Sequence, residues 1–133
     1  MIGRLAWLAA LGLAALSGAA SAQVQGAERR AILDALRPAV ERRLGAPVEF
    51  VVRRIDARDG WALVIAEPQR PGGGAIDPRR FFPADALEFM DGLTASAILR
   101  RSGGRWRLVE HAIGATDVWY CAMQGPPRAL TGC

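Results

Sequence analysis

The chain has 133 residues, 51% of them hydrophobic, and its 17 basic residues outnumber its 13 acidic residues to give a net charge of +4. Every basic residue is an arginine, and the arginines are interspersed with acidic residues, so the charge pattern argues against a nucleic-acid-binding surface. The length allows one domain with a single core.

The N-terminus has the pattern of a secretory signal peptide. Arg4 precedes an apolar run over residues 5–16, and Ala-Ser-Ala at residues 20–22 forms an A-x-A cleavage site. The run is shorter than the roughly 20 residues of a membrane-spanning helix, which makes a membrane anchor the less favoured alternative. Ala19 stands where a lipobox would place its lipidated cysteine.

We therefore expect a leader spanning residues 1–22 and one mature domain spanning residues 23–133. The product is predicted to be periplasmic or secreted, with no stable membrane anchor after cleavage.

Residues 25–44 have the apolar spacing of an amphipathic helix, and Gly45 follows as a stop signal. The apolar positions are Ile32, Leu33, Leu36, Val40 and Leu44. Pro38 lies inside this pattern and removes a backbone hydrogen bond, so the helix is predicted to kink there or to restart as a second short helix.

A first hairpin is predicted after the helix. Residues 48–55 alternate between apolar and polar, the dipeptide Asp59-Gly60 is a turn signal, and residues 61–67 form a second apolar strand. Pro68 is predicted to stop this strand.

A second hairpin is predicted over residues 93–101 and 105–113, with a turn at residues 102–104. One helix followed by four antiparallel strands is an α+β pattern. Strand alternation places Trp61 and Trp106 on one face of the sheet, against the helix.

The long connection between the hairpins, residues 68–92, combines mobile and packed parts. The glycine triplet at residues 72–74 has no following lysine, so it is read as a flexible loop and not as a phosphate-binding loop, and residues 71–75 are predicted to be mobile. The aromatic pair Phe81-Phe82 is expected to pack, and a short helix is predicted at residues 84–90.

The two cysteines, Cys121 and Cys133, are both near the C-terminus. Export places them in an oxidising compartment, where we expect them to form a disulfide. The alternative, a redox-active pair, usually has a tight C-x-x-C spacing, which the eleven intervening residues do not resemble.

The segment at residues 114–120 is the most distinctive part of the mature chain. Thr116 or Asp117 is predicted to cap a short terminal helix, with Trp119 and Tyr120 packing back on the sheet. The functional interpretation of the same residues is an aromatic and carboxylate edge that lines a cleft.

No catalytic, cofactor or metal site is predicted. His111 is the sole histidine, so it cannot assemble a zinc site once the cysteines are paired. Strand alternation predicts that its side chain points to the opposite face of the sheet from that of Trp106. We expect His111 to be dispensable. The many acidic residues allow too many carboxylate pairs for any one pair to indicate a hydrolase.

Several segments together resemble small exported bacterial proteins of unassigned function. They are residues 31–37, 48–52, 60–64 with 67–69, and 106–110 with 114–118. Their order, a helix followed by a meander, is similar to the cystatin-like α+β architecture. The resemblance implies one kinked helix packed on a curved antiparallel sheet of about four strands, and it implies no catalytic role.

Three functions are compatible with these observations. The first is a non-catalytic exported binding domain with an unknown protein partner. The second is a carrier of a small apolar ligand, with a pocket between helix and sheet that the Phe81-Phe82 loop closes. The third is a hydrolase built on scattered carboxylates. The residues predicted to form a binding surface are Phe81, Phe82, Asp117, Trp119 and Tyr120.

Overall fold

The computed structural model describes residues 24–133 and has one long helix beside one sheet. The predicted leader, residues 1–22, lies outside the described residues. Each strand of the sheet pairs antiparallel with the next, in the order β1-β2-β3-β4, which confirms the α+β prediction. The helices and strands are α1 (Gly26–Leu44), β1 (Glu49–Arg58), β2 (Trp61–Gln69), α2 (Ala84–Leu87), β3 (Ala95–Ser102), β4 (Arg105–Ile113) and α3 (Arg128–Thr131), with 3-10 turns at Pro78–Arg80 and Trp119–Ala122.

The helix α1 buries the apolar stripe that its sequence predicts. Ile32, Leu36, Val40 and Leu44 are fully buried. The sheet presents mostly small side chains to them, which lets the helix approach closely: Ala62, Val64, Ala66, Ala95, Ala97 and Leu99. The helix continues through Pro38 without restarting, and a kink there stays a prediction.

The C-terminal end of α1 is closed by Arg70, from the segment that follows β2. Its guanidinium donates hydrogen bonds to the carbonyls of Leu44 (2.6 Å), Gly45 (2.6 Å) and Pro47 (3.1 Å). These carbonyls have no partner within the helix, and a positive charge at this end is favoured by the helix dipole. Arg70 therefore ties α1 to the end of the sheet remote from the two hairpin turns.

The strand β2 continues through Pro68, so the prediction that Pro68 stops it is wrong. Pro68 pairs with Phe50 of β1, whereas the pairing of β2 with β3 ends at Ala66 opposite Ala95. Beyond Ala66, β2 has no neighbour on the β3 side among residues 24–133, and a proline there removes no ladder hydrogen bond. β3 consequently begins at Ala95, two residues later than predicted.

Each outer strand has a β-bulge. The register of β1 shifts between Val52 and Arg54, and that of β4 shifts opposite Ile98, where Val109 is the extra residue. After Val109 the alternation is inverted, so His111 lies on the same face as Trp106. The prediction that these two side chains point to opposite faces is wrong for that reason.

The second face of the sheet is covered by the C-terminal segment. We call residues 118–133 the C-terminal clasp and the sheet face beneath them the outer face. The disulfide between Cys121 and Cys133 is present, with Cα atoms 5.6 Å apart, and confirms the predicted pairing. The clasp and the sheet form a second apolar cluster containing Leu63, Ile98, Tyr120 and Leu130, with Trp61, Ile65, Trp119 and Met123 packed around it.

Trp61 belongs to this second cluster, so the prediction that it shares a face with Trp106 is wrong. Trp61 lies opposite Arg100, and Trp106 lies opposite Arg101. Neighbouring residues of one strand point to opposite faces, so the two indoles lie on opposite sides of the sheet. Trp106 packs against the α1 cluster as predicted.

The connection between β2 and β3 is held by local hydrogen bonds. Arg70 and Gly74 form an isolated antiparallel bridge, with the Arg70 amide 2.8 Å from the Gly74 carbonyl. Asp77 caps the 3-10 turn by accepting from the Arg79 amide at 3.0 Å. The helix predicted over residues 84–90 is shorter, since α2 ends at Leu87.

Candidate functional site

The residues predicted to form one binding surface lie in two separate places. Phe81 and Phe82 pack against the α1 cluster, whereas Trp119 and Tyr120 pack in the second cluster on the outer face. The guanidinium of Arg70 lies 6.0 Å from the Phe81 ring centroid. The two aromatic pairs therefore do not form a continuous surface.

The aromatic pair in the clasp holds the clasp to the sheet. The indole Nε1 of Trp119 donates a 2.7 Å hydrogen bond to the hydroxyl of Ser96 on β3, and Tyr120 is buried. Asp117 is exposed, and the turn that follows has Val118 at its N-cap with no side-chain cap bond. The predicted capping by Thr116 or Asp117 is therefore wrong, while the predicted packing of the aromatics on the sheet is confirmed.

A groove of about 450 Å³ opens beside the end of β2 that β3 does not reach. In the described part of the chain, Glu67, Pro68 and Gln69 pair with β1 alone, and the chain entering β3 diverges from them over residues 91–94. Apolar side chains contribute to its lining: Val51, Ile76 and Leu93. The side chain of Val51 is 45% exposed although it lies in a strand.

Polar groups surround this apolar lining. Glu67 and Asp91 place two carboxylates at the groove, and Gln69 and Thr94 add an amide and a hydroxyl. Glu67 is 2.9 Å from the guanidinium of Arg53, and this hydrogen bond, followed by the attraction between the charges, raises the pKa of Arg53. The groove thus offers hydrogen-bond acceptors beside apolar surface, which suits a ligand with donor groups and an apolar part.

The wall of the groove is fixed by Gly114. Its carbonyl accepts a 2.8 Å hydrogen bond from the Asp91 amide, and its own amide donates to the Thr94 carbonyl at 2.8 Å. Gly114 has φ +74°, a conformation that favours glycine, and Met90 and Gly92 pack directly against it. The sequence pattern singled out the segment beginning at this glycine, but not its contact with residues 90–94.

His111 lies beneath the C-terminal half of α1, away from the groove. Its Nε2 atom is buried and has no hydrogen-bond partner among residues 24–133. Burial lowers the pKa of His111, and the nearby charges of Arg43 and Arg42 lower it further, while Glu110 acts in the opposite direction. Within the same residues, no three side chains of the metal-binding types are grouped as a metal site.

Comparison of the chain with protein-family models, with characterised proteins and with solved structures gives no match. In the described part of the chain, no helix combines the length and the apolar character needed to cross a bilayer.

The lining residues of the groove, Val51, Gln69 and Thr94 among them, were not predicted from the sequence. The signal that points to them is Pro68: a proline inside an otherwise regular apolar strand indicates a position where one neighbouring strand is missing. The groove occupies that position.

Proposed function

We propose that this chain is a non-catalytic binding domain of an exported bacterial protein and that the groove beside residues 67–69 is its binding site. The observation that carries the proposal is the offset between β2 and β3, which leaves a groove of about 450 Å³ lined by apolar side chains and carboxylates. Its volume falls in the range of roughly 300–1,000 Å³ typical of ligand sites.

The shape of the groove favours an extended segment of a protein partner over an enclosed small molecule. The groove is open to solvent along one side, while the space between α1 and the sheet is filled by fully buried side chains such as Leu36, Val40 and Leu99. The partner segment is expected to carry an apolar side chain for Val51 and Leu93 and a positive charge near Glu67 or Asp91.

Two further features support an exported setting. The disulfide between Cys121 and Cys133 is of the kind that persists in oxidising compartments. The helix-then-meander order of α1 and the four strands is compatible with the cystatin-like architecture, and we retain that likeness as part of the proposal.

Site-specific photo-crosslinking tests the proposal. A photoreactive phenylalanine analogue replaces Val51 in the groove or, as the matched control, Val109 on β4; these valines are 45% and 47% exposed. The protein is expressed with its own leader in a Gram-negative host and irradiated in the cell envelope. We expect a discrete protein adduct from position 51 and none from position 109.

Equal adducts at the two positions, or none at position 51, would contradict the proposal. A small-molecule adduct at position 51 would favour the carrier instead. Turnover of a hydrolase substrate that is lost in Glu67→Gln or Asp91→Asn would favour the enzyme.

A further inference from the structure

Four side chains form a row across the outer face, at the end of the sheet opposite to the groove. Arg58 lies directly opposite Trp61, Trp61 lies opposite Arg100, and Arg100 lies opposite Arg107. Directly opposite residues share one face of a sheet, so all four side chains are on the outer face with Trp61. Three strand spacings make the row roughly 14 Å long.

The row carries positive charge without a compensating carboxylate. Arg58, Arg100 and Arg107 are exposed, as is Arg105, which lies two residues before Arg107 and hence on the same face. None of them forms a salt bridge with a carboxylate of residues 24–133. Like charges directly opposite each other, as in Arg100 and Arg107, destabilise a pair of strands.

The next carboxylates along the outer face do not remove this repulsion. Asp56, one step along the outer face of β1, is 2.6 Å from the guanidinium of Arg54. Glu110, one step along β4, lies opposite Ile98 and is exposed. The arginines of the row are therefore available to an external anion.

The centre of the row is held in place by the clasp. The guanidinium carbon of Arg100 is 4.9 Å from the Trp61 ring centroid. Gly125 of the clasp packs on the same indole so closely that an added Cβ would lie 2.9 Å from Cζ2 and Cη2. Trp61 thus contacts both the clasp and Arg100, and an ordered guanidinium loses less conformational freedom when it binds a ligand.

We propose that this row binds a linear anionic polysaccharide, with sugar carboxylates paired to Arg100 and Arg107. A guanidinium group binds a carboxylate through two parallel hydrogen bonds. A single row of positive charges also fits a linear charged polymer better than it fits the planar surface of a membrane. Arg58 and Arg105 extend the contact along the chain. The site is separate from the groove, since the two lie at opposite ends of β2.

Other polyanions fit the row less well. Single-stranded nucleic acid needs an aromatic face for base stacking, and the indole of Trp61 is already in contact with Gly125 and Arg100. An extended acidic peptide has many rotatable bonds that must be fixed before its carboxylates can follow the row, and this ordering opposes binding. A uronate polymer carries one carboxylate on every sugar ring, and its stiffer chain loses less conformational freedom when it lies along the row.

Calorimetric titration of the oxidised exported protein with oligogalacturonate tests the inference. The double variant Arg100→Gln, Arg107→Gln is expected to weaken binding at least about tenfold. The control Arg30→Gln, Arg80→Gln removes the same charge from exposed positions elsewhere and should change affinity less than about twofold. Val51→Ser in the groove should leave the affinity unchanged, which separates this site from the proposed protein-binding site.

The single variant Arg107→Gln separates binding from stability, because it removes the repulsion between the opposed arginines and keeps the contact of Arg100 with Trp61. This variant should melt at the same temperature as the parent or higher and should still bind oligogalacturonate more weakly. Unchanged oligogalacturonate affinity in both variants would overturn the inference. Row-dependent binding of oligothymidylate, or of vesicles of equal parts phosphatidylglycerol and phosphatidylcholine, without glycan binding would also overturn it.

Discussion

Replacement of Gly114 by alanine is expected to lower the free energy of unfolding by about 2–5 kcal/mol. Two effects add. The backbone at Gly114 has φ +74°, where a side chain costs roughly 1–2 kcal/mol. The added Cβ would also lie 2.6 Å from Met90 Cε, 2.9 Å from the Gly92 carbonyl oxygen and 3.0 Å from Met90 Cβ.

The Met90 methyl group can rotate away, but the Gly92 carbonyl and the Met90 Cβ can move only with the backbone of residues 90–94. Overpacking of this kind costs typically about 1–3 kcal/mol. Because residues 91–94 form a wall of the groove, we also expect Gly114→Ala to reduce crosslinking from position 51.

Gly103→Ala is the matched control. Gly103 has φ +58° in the second hairpin turn, and an added Cβ there has no heavy atom within 4 Å. Gly103→Ala should lower the free energy of unfolding by the backbone strain alone, about 1–2 kcal/mol. Urea unfolding with the disulfide intact, followed by far-ultraviolet circular dichroism, gives both values. If Gly114→Ala were no more destabilising than Gly103→Ala, the packing of Gly114 against residues 90–92 would be wrong.

Three further predictions concern the two clusters and the partly buried histidine. Replacing Cys121 and Cys133 together by serine should lower the free energy of unfolding, measured by chemical denaturation, by up to about 3 kcal/mol. It should also increase amide hydrogen exchange in the clasp more than in α1, and an equal increase in the two would refute this. Trp106→Ala should cost about 3 kcal/mol in the same assay, because it opens the cluster beneath α1, and wild-type stability would contradict the packing. Because burial and two arginines of α1 lower the pKa of His111 from 6.5, the unfolded chain binds a proton more readily than the folded one. The free energy of unfolding should therefore fall as the pH drops below 6.5, and a His111→Gln protein should lack that part of the decrease; an identical pH profile in this variant would refute the assignment.

The regular parts of the fold could be predicted because their signals are local. The spacing of Ile32, Leu36 and Val40 predicted α1, and Asp59-Gly60 predicted the first turn, where Asp59 has φ +52° as such a turn requires. The bounds of β4 were predicted as observed, because turn residues precede it and an alternating pattern runs through it.

The face of the sheet to which each side chain points was harder to predict, because it depends on the pairing between strands. The bulge at Val109 inverts the alternation of β4, and nothing in the residues around it distinguishes a bulge from regular strand. The opposite placement of Trp61 and Trp106 follows from a register offset of one residue, which only the pairing reveals.

The candidate site was missed for a related reason. The groove arises because β2 extends three residues beyond its pairing with β3, and the arginine row arises because Arg58, Arg100 and Arg107 fall in one register across three strands. Neither arrangement leaves a motif in consecutive residues. The aromatic residues that did stand out, Trp119 and Tyr120, hold the clasp to the sheet.

Amide hydrogen exchange of the exported protein, with and without the partner captured at position 51, shows directly whether the groove beside β2 binds a partner. We expect slower exchange over residues 67–69 and 91–94 in the complex, with no change over residues 107–110 on the opposite edge of the sheet. Protection confined to β4 or to the clasp, with residues 67–69 and 91–94 unchanged, would contradict it.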